Sequence, residues 1–170
     1  MVTATKSLFN TLGANSDILV TFNEITRCIK QMQIHMLSMC LTMMKIRGNK
    51  MIMSAAGMPP SLLYRKNEMV VEEIVLKGMP LGAVSDFPYQ IKETILNPGD
   101  TILLLSDGLP ELFDKNKEMF SYERVVQVFS KHAHKSPEEI IEGLKTAGSD
   151  WVEDAEPDDD VTFVVLKVKN

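Results

Sequence analysis

From about Met36 the chain adopts a period of two, with Leu37, Met39, Leu41 and Met43 on one face and Ser38, Cys40 and Thr42 on the other. Side chains of a strand alternate between its faces, so this spacing reads as β-strand. The pairs Gly48-Asn49, between "LTMMKIR" and "KMIMSAA", and Lys66-Asn67, between "SLLYR" and "EMVVEEIVL", then predict consecutive tight hairpins. Hairpins in series build an antiparallel sheet, and this constrains the fold more than any other feature of the chain.

A loop, "KGMPLGAVSDFP", leads to "YQIKETIL", the turn "NPGD" and the nearly all-apolar "TILLLS", which reads as a strand covered on both faces. Helical spacing flanks this block. Ile18, Phe22, Ile25, Ile29 and Met32 recur on one face of "SDILVTFNEITRCIKQM", with Ser16 as the expected cap. Before it, "TATKSLFNTLG" reads as a short helix that ends at Gly13 and begins without a capping residue. Downstream, "SYERVVQVFSKHA" and "SPEEIIEGLKTAGSDWVED" read as helices. Ser136, Pro137 and Glu139 form a capping box for the second, and Ile140, Leu144, Ala147 and Trp151 are its buried stripe. The last element, "VTFVVLKV", is apolar at both parities and predicts a central strand. Strands and helices come in blocks rather than in βαβ units, so the predicted class is α+β, with antiparallel sheets and helices packed outside them.

At 170 residues and 45% hydrophobic, the chain has the size of one domain, residues 1–170, whose core needs no disulfides. A net charge of -5 with no dense run of Lys and Arg excludes a nucleic-acid surface. No apolar segment approaches the ~20 residues of a membrane span, and "MVTATKSLFNTLG" lacks the apolar centre of a signal peptide, so the expected setting is cytoplasmic with no membrane partner. Cys28 and Cys40 sit in no metal-binding spacing and are expected to be reduced core residues, the first on a helix and the second in a strand. The 12 methionines read as core filler.

Charge is concentrated next to apolar strands. Asp158, Asp159 and Asp160 abut "VTFVVLKV", and Asp107 closes "TILLLS". If these strands pair antiparallel, Asp107 and the aspartate triplet meet at the same end of the sheet. Converging carboxylates repel, and a hard divalent cation relieves them; Mg²⁺ or Mn²⁺ with carboxylates and waters matches the donor set. Such a site activates water and shields phosphate charge, and two metals ~3.5–4 Å apart hold a nucleophile for in-line attack on phosphorus. Plainer readings stand beside this one. Asp107-Gly108 serves equally as a turn, and Asp150, Glu153, Asp154 and Glu156 read as a solvated loop. His35, His132 and His134 fall in no ligand spacing, and Ser106 has no paired histidine to activate it. The loops "AAGMPPSLLYR" and "KGMPLGAV" are either tight turns or cleft lining, with Gly57 and Gly108 the expected cleft-lining positions.

Taken together, "SAAGMPPSLLYR", "GMPLG", "LNPGDTILLLSDGLPELF" and "DDDVTFVVLKV" resemble, in order and separation, the bacterial metal-dependent serine/threonine protein phosphatases (PPM type) of the stage II sporulation protein E class. The resemblance covers nearly the whole chain. It implies two β-sheets between layers of helices, and a Mg²⁺/Mn²⁺ pair that activates water to hydrolyse phosphoserine or phosphothreonine on a regulatory protein. The substrates it implies are phosphorylated anti-sigma-factor antagonists of the STAS class. Position by position, it places metal-ligating aspartates at Asp107 and Asp159, with Asp160 as a supporting or alternative ligand.

The chain departs from the family pattern in two places. Met58 stands in "GMPP" where the family loop reads Gly-His-Pro-Pro, and the upstream Gly-Asp strand motif and the Asp-x-x-Gly-His-Gly motif, each carrying a ligating aspartate, are absent from these residues. The expectation is the C-terminal part of a phosphatase domain cut within its first long helix, with roughly half the metal ligands missing, and inactive in isolation. The alternative is a non-catalytic, degenerate phosphatase-fold module for partner binding or dimerisation. Uncovered sheet edges invite self-association, a homodimer included.

Overall fold

The computed structural model describes residues 10, 17–32, 37–153 and 160–169. The chain divides into two compact units, Met1–Met58 with Leu76–Ile95 and Pro59–Val75 with Leu96–Asn170. The short helix expected over "TATKSLFNTLG" lies, apart from Asn10, outside the described residues.

In the first unit, helix α1 (Ile18–Gln31) is capped by Asp17, whose Oδ1 accepts from Leu19 N at 2.8 Å and Val20 N at 3.2 Å. The cap is therefore Asp17 rather than Ser16, because the capping oxygen must sit one residue before the first turn to reach its free N–H groups. Ile18, Phe22, Ile25 and Ile29 are buried as the spacing predicts, whereas Met32, beyond the last turn, is 39% exposed. The helix lies on an antiparallel sheet of β1 (Leu41–Arg47), β2 (Lys50–Ala56) and β5 (Lys92–Ile95), in the order β1-β2-β5. Arg47 pairs with Lys50, which leaves Gly48-Asn49 as a two-residue loop with Gly48 at φ 59°. Phe22 meets Tyr89 edge-to-face at 5.1 Å, and burying such a ring contributes about 1.5–3 kcal/mol. Neither cysteine is in a disulfide, but Cys40 is exposed and precedes β1 instead of lying in a strand and core. The alternation that starts near Met36 acquires a continuous pairing partner only at Leu41.

The second unit carries β3 (Ser61–Arg65), β4 (Val70–Ile74), β6 (Thr101–Leu105) and β7 (Phe163–Lys167), all antiparallel, in the order β4-β3-β6-β7. The β3–β4 connection is not a two-residue turn at Lys66-Asn67. Arg65 pairs with Val70, so residues 66–69 form the loop, and Met69 takes φ 55° with its N–H returned to Arg65 O. Helices α2 (Tyr122–His132) and α3 (Pro137–Val152) cover one face, where Leu62, Leu103 and Leu105 pack with Phe129, Ile140 and Leu144. The Ser136/Glu139 capping box forms as expected.

Strand β6 has a neighbour on each side, but β7 is the last strand of its sheet among the described residues, and Val164 is 45% exposed. The expected central position is thus corrected. Apolar residues at both parities report what covers a strand's faces and carry no information about how many strands share its hydrogen bonds. The class is α+β with antiparallel sheets and external helices, as the order of elements predicts.

Candidate metal-binding site

Strands β6 and β7 pair in the register Leu103↔Val165, Leu104↔Val164 and Leu105↔Phe163. Continued past the strand ends, this register sets Ser106 opposite Thr162, Asp107 opposite Val161 and Gly108 opposite Asp160. The hydrogen bonds show that the continuation is real. Ser106 N donates to Thr162 O at 3.1 Å, Thr162 N donates to Ser106 Oγ at 3.0 Å, and the Ser106 hydroxyl donates to Asp160 O at 3.2 Å. Gly108 completes the approach, since a Cβ there would stand 2.5 Å from Asp160 O. Only glycine lets the two backbones come this close. The chain then turns away as Glu111 N donates to Asp107 O at 3.0 Å.

The ladder therefore brings Asp107, Gly108 and Asp160 to one end of the sheet, with Asp107 and Asp160 both exposed and Gly108 buried. Asp158 and Asp159 lie outside the described residues. Carboxylate oxygens at a solvent-open sheet end suit Mg²⁺ or Mn²⁺ by donor chemistry. Among the described residues, however, no three His, Cys, Asp or Glu side chains form a group able to hold an ion. Gly57 belongs to the first unit, where it takes φ 68° and donates to Gly78 O at 2.9 Å. The positive φ already favours glycine, and a Cβ there would stand 2.8 Å from Pro80 Cγ and 2.9 Å from Cys40 Sγ. His132 is spent within its own helix, with Nδ1 on Val128 O at 2.9 Å.

Two contributors escaped the sequence reading. Ser106, set aside as an unsupported nucleophile, is the staple between the two strand ends; its only signal was its place beside Asp107. Asp100 was read as part of the turn "NPGD", yet it is buried and fixes the start of β6 by accepting from Arg65 Nη1, Lys66 N and Asn97 N, each at 3.0 Å. Nothing local announces that Arg65, on β3, would reach it.

The chain is 26% identical over 116 residues to phosphoserine phosphatase RsbU of Bacillus subtilis (strain 168), covering 68% of this chain and 34% of RsbU. It thus spans about a third of that relative's length. Its fold is similar to the SiaA-PP2C domain of Pseudomonas aeruginosa, with a TM-score of 0.79, 19% identity, and coverage of 96% of this chain and 65% of the other. It is also similar to the phosphatase domain of SpoIIE from Bacillus subtilis (Mn presoaked), with a TM-score of 0.65, 19% identity, and coverage of 98% and 72%. At these identities the structural likeness carries the fold alone. The model of the family described as stage II sporulation protein E (SpoIIE) matches residues 1–169, and the chain belongs to that family.

Proposed function

We propose that this chain forms the Asp107/Asp159-bearing part of a Mg²⁺- or Mn²⁺-dependent serine/threonine protein phosphatase, with Asp160 as a supporting or alternative ligand. The observation that carries this reading is the β6–β7 ladder, which sets the Asp107 and Asp160 strand ends side by side. The relatives point the same way: RsbU is named a phosphoserine phosphatase, and PstP is described as a serine/threonine protein phosphatase in complex with two manganese ions. A metal bound there would supply an activated water and neutralise phosphate charge. The chain's own part is to hold the Asp107 carboxylate at a fixed strand end, through Ser106 and Gly108. The substrate in this reading is phosphoserine or phosphothreonine on a regulatory protein, an anti-sigma-factor antagonist of the STAS type. The chain crosses between its two units at residues 58–59, 75–76 and 95–96, which supports treating residues 1–170 as one phosphatase-like domain. A cytoplasmic setting is consistent with the described helices, none of which is long and apolar enough to cross a membrane.

The test is Mn²⁺ titration of the 170-residue chain and of Asp107→Asn, together with hydrolysis of p-nitrophenyl phosphate and a phosphoserine peptide. Tighter Mn²⁺ binding by the parent chain, with little turnover, is expected. Equal binding by Asp107→Asn removes Asp107 from the ligand set, and robust turnover abolished by Asp107→Asn shows that the ligands present suffice.

The second reading, a non-catalytic module that binds a partner or dimerises, draws on the absence of Asp-x-x-Gly-His-Gly from these 170 residues. The coding sequence upstream of Met1 separates the two. An in-frame Gly-Asp strand and Asp-x-x-Gly-His-Gly favour the enzyme, and their absence favours the module.

A further inference from the structure

Between Asp107 and helix α2 the chain makes a small hairpin that the metal site does not use. Phe113 and Met119 form an antiparallel bridge, and residues directly opposite in such a bridge project to the same face. Each is 46% exposed, so two large apolar side chains stand together in solvent.

The hairpin is held rigidly. Asp114 Oδ1 accepts from Glu118 N at 2.7 Å and Asn116 N at 2.9 Å, and Oδ2 accepts from Asn116 Nδ2 at 3.1 Å. The Glu118 amide, aided by the two Asn116 groups, holds the Asp114 carboxyl below its usual range. Trp151 Nε1 donates to Glu118 O at 3.3 Å, and Arg124 lies 4.1 Å from the Trp151 ring centroid. At the base, Phe120 N donates to Leu112 O at 2.7 Å and Ser121 N to Pro110 O at 2.8 Å. Exposure of Phe113 and Met119 is therefore a property of an ordered surface. Two adjacent apolar side chains presented to water on a braced support form a small surface that an apolar group can cover.

Position says what that is. Glu111 N is 3.0 Å from Asp107 O, and the two residues from Glu111 to Phe113 add at most about 7 Å, so the hairpin begins within roughly 10 Å of Asp107. That is the length of about three extended residues of a polypeptide. We propose that Phe113 and Met119 are a specificity element that grips an apolar side chain of the phosphoprotein substrate, two to four residues from its phosphoserine. The proposal rests on the phosphatase reading for the phosphate end of the contact, and on the hairpin itself for the apolar end.

The test uses the full chain with Mn²⁺ and nine-residue phosphoserine peptides, otherwise polar, in which one leucine is moved through every position. Binding is read by fluorescence anisotropy beside the unphosphorylated serine set. Leucine two to four residues from phosphoserine is expected to tighten binding about five- to tenfold. Phe113→Ser and Met119→Ser should each remove that preference while leaving the melting temperature and the preference for phosphate in place. Asp107→Asn should remove the phosphate preference and leave the leucine preference. A leucine preference without phosphate dependence in the parent chain keeps the docking element and overturns the phosphatase reading. A flat leucine profile, or one that survives both serine variants, overturns the docking element whatever the phosphate dependence.

Discussion

Arg65 Nη1 lies 3.0 Å from Asp100 Oδ2, with the Asp100 side chain 1% exposed and that of Arg65 13% exposed. The pair joins β3 to the turn that launches β6, and Asp100 also accepts from the backbone N–H groups of Lys66, just after β3, and Asn97, in the turn itself. The strand that leads to Asp107 thus starts from a buried carboxylate.

Replacing Asp100 with Ala leaves the Lys66 and Asn97 amides without this acceptor and takes a buried carboxylate away from the largely buried Arg65 charge. Removing one partner of a buried pair costs about 3 kcal/mol or more. The unfolding free energy from urea titration is expected to fall by that amount, seen as a lower midpoint with the slope unchanged, and a loss under about 1 kcal/mol would mean that the clamp is not a stabilising contact.

Ser106→Ala removes one hydroxyl that serves both strand ends. Net hydrogen-bond energies of this kind are about 1 kcal/mol, so overall stability changes little. The local signature is larger: the Thr162 amide, which donates to Ser106 Oγ, is expected to exchange its hydrogen faster, while Val165, deeper in the ladder, keeps its protection. Equal protection of Thr162 in both proteins would show that the staple is dispensable.

Gly108→Ala places a Cβ against a backbone oxygen of Asp160, which cannot rotate away as a side chain would. Forcing the strands apart costs about 1–3 kcal/mol. Because Ser106 and Gly108 both act on residues 160–162, just before β7, the double variant should fall short of the sum of the singles. Strict additivity in thermal melts would count against a shared contact.

Burial, with the charge of Glu73 acting in the same sense, holds the Tyr122 phenol protonated well above its ordinary value of 10.0. Burial also raises Tyr89, against a smaller lowering contribution from a hydrogen bond with Thr26. A folded pKa above the unfolded one means that the native state keeps a proton the unfolded chain releases. The stabilisation is therefore complete below pH ~10 and is lost as pH rises beyond it. Tyr122→Phe and Tyr89→Phe should each lower the melting temperature near neutrality, through the lost bonds to Pro60 O and Met79 O, and each should flatten its alkaline decline. Melting curves that stay parallel to the parent's above pH ~10 would contradict this.

Features legible in the sequence are those decided between near neighbours. The Gly48-Asn49 hairpin, the Ser136/Glu139 capping box and the buried stripe of α1 from Ile18 to Ile29 each depend on residues within a few positions of one another, and each stands where the pattern placed it. Where local chemistry offered two solutions, the reading slipped by a residue or two. Asp17 caps α1 instead of its neighbour Ser16, and the β3–β4 loop runs to Met69 because β4 starts pairing only at Val70.

The candidate site divides along the same line. Composition marked Asp107 and Asp160 as charges set against apolar strands, and antiparallel pairing of those strands was a stated condition for their meeting. The sequence by itself determined the strands, the turns, the caps and the residue types that can hold a hard cation, because these follow from side-chain period and short-range hydrogen bonding. Only the tertiary structure decided that β6 and β7 pair, that β7 is the last strand of its sheet among the described residues, that Asp100 is buried against Arg65, and that Ser106 staples a residue 54 positions away. Pairing between distant strands is set by which edges and faces the rest of the chain leaves open, and no local stretch encodes that.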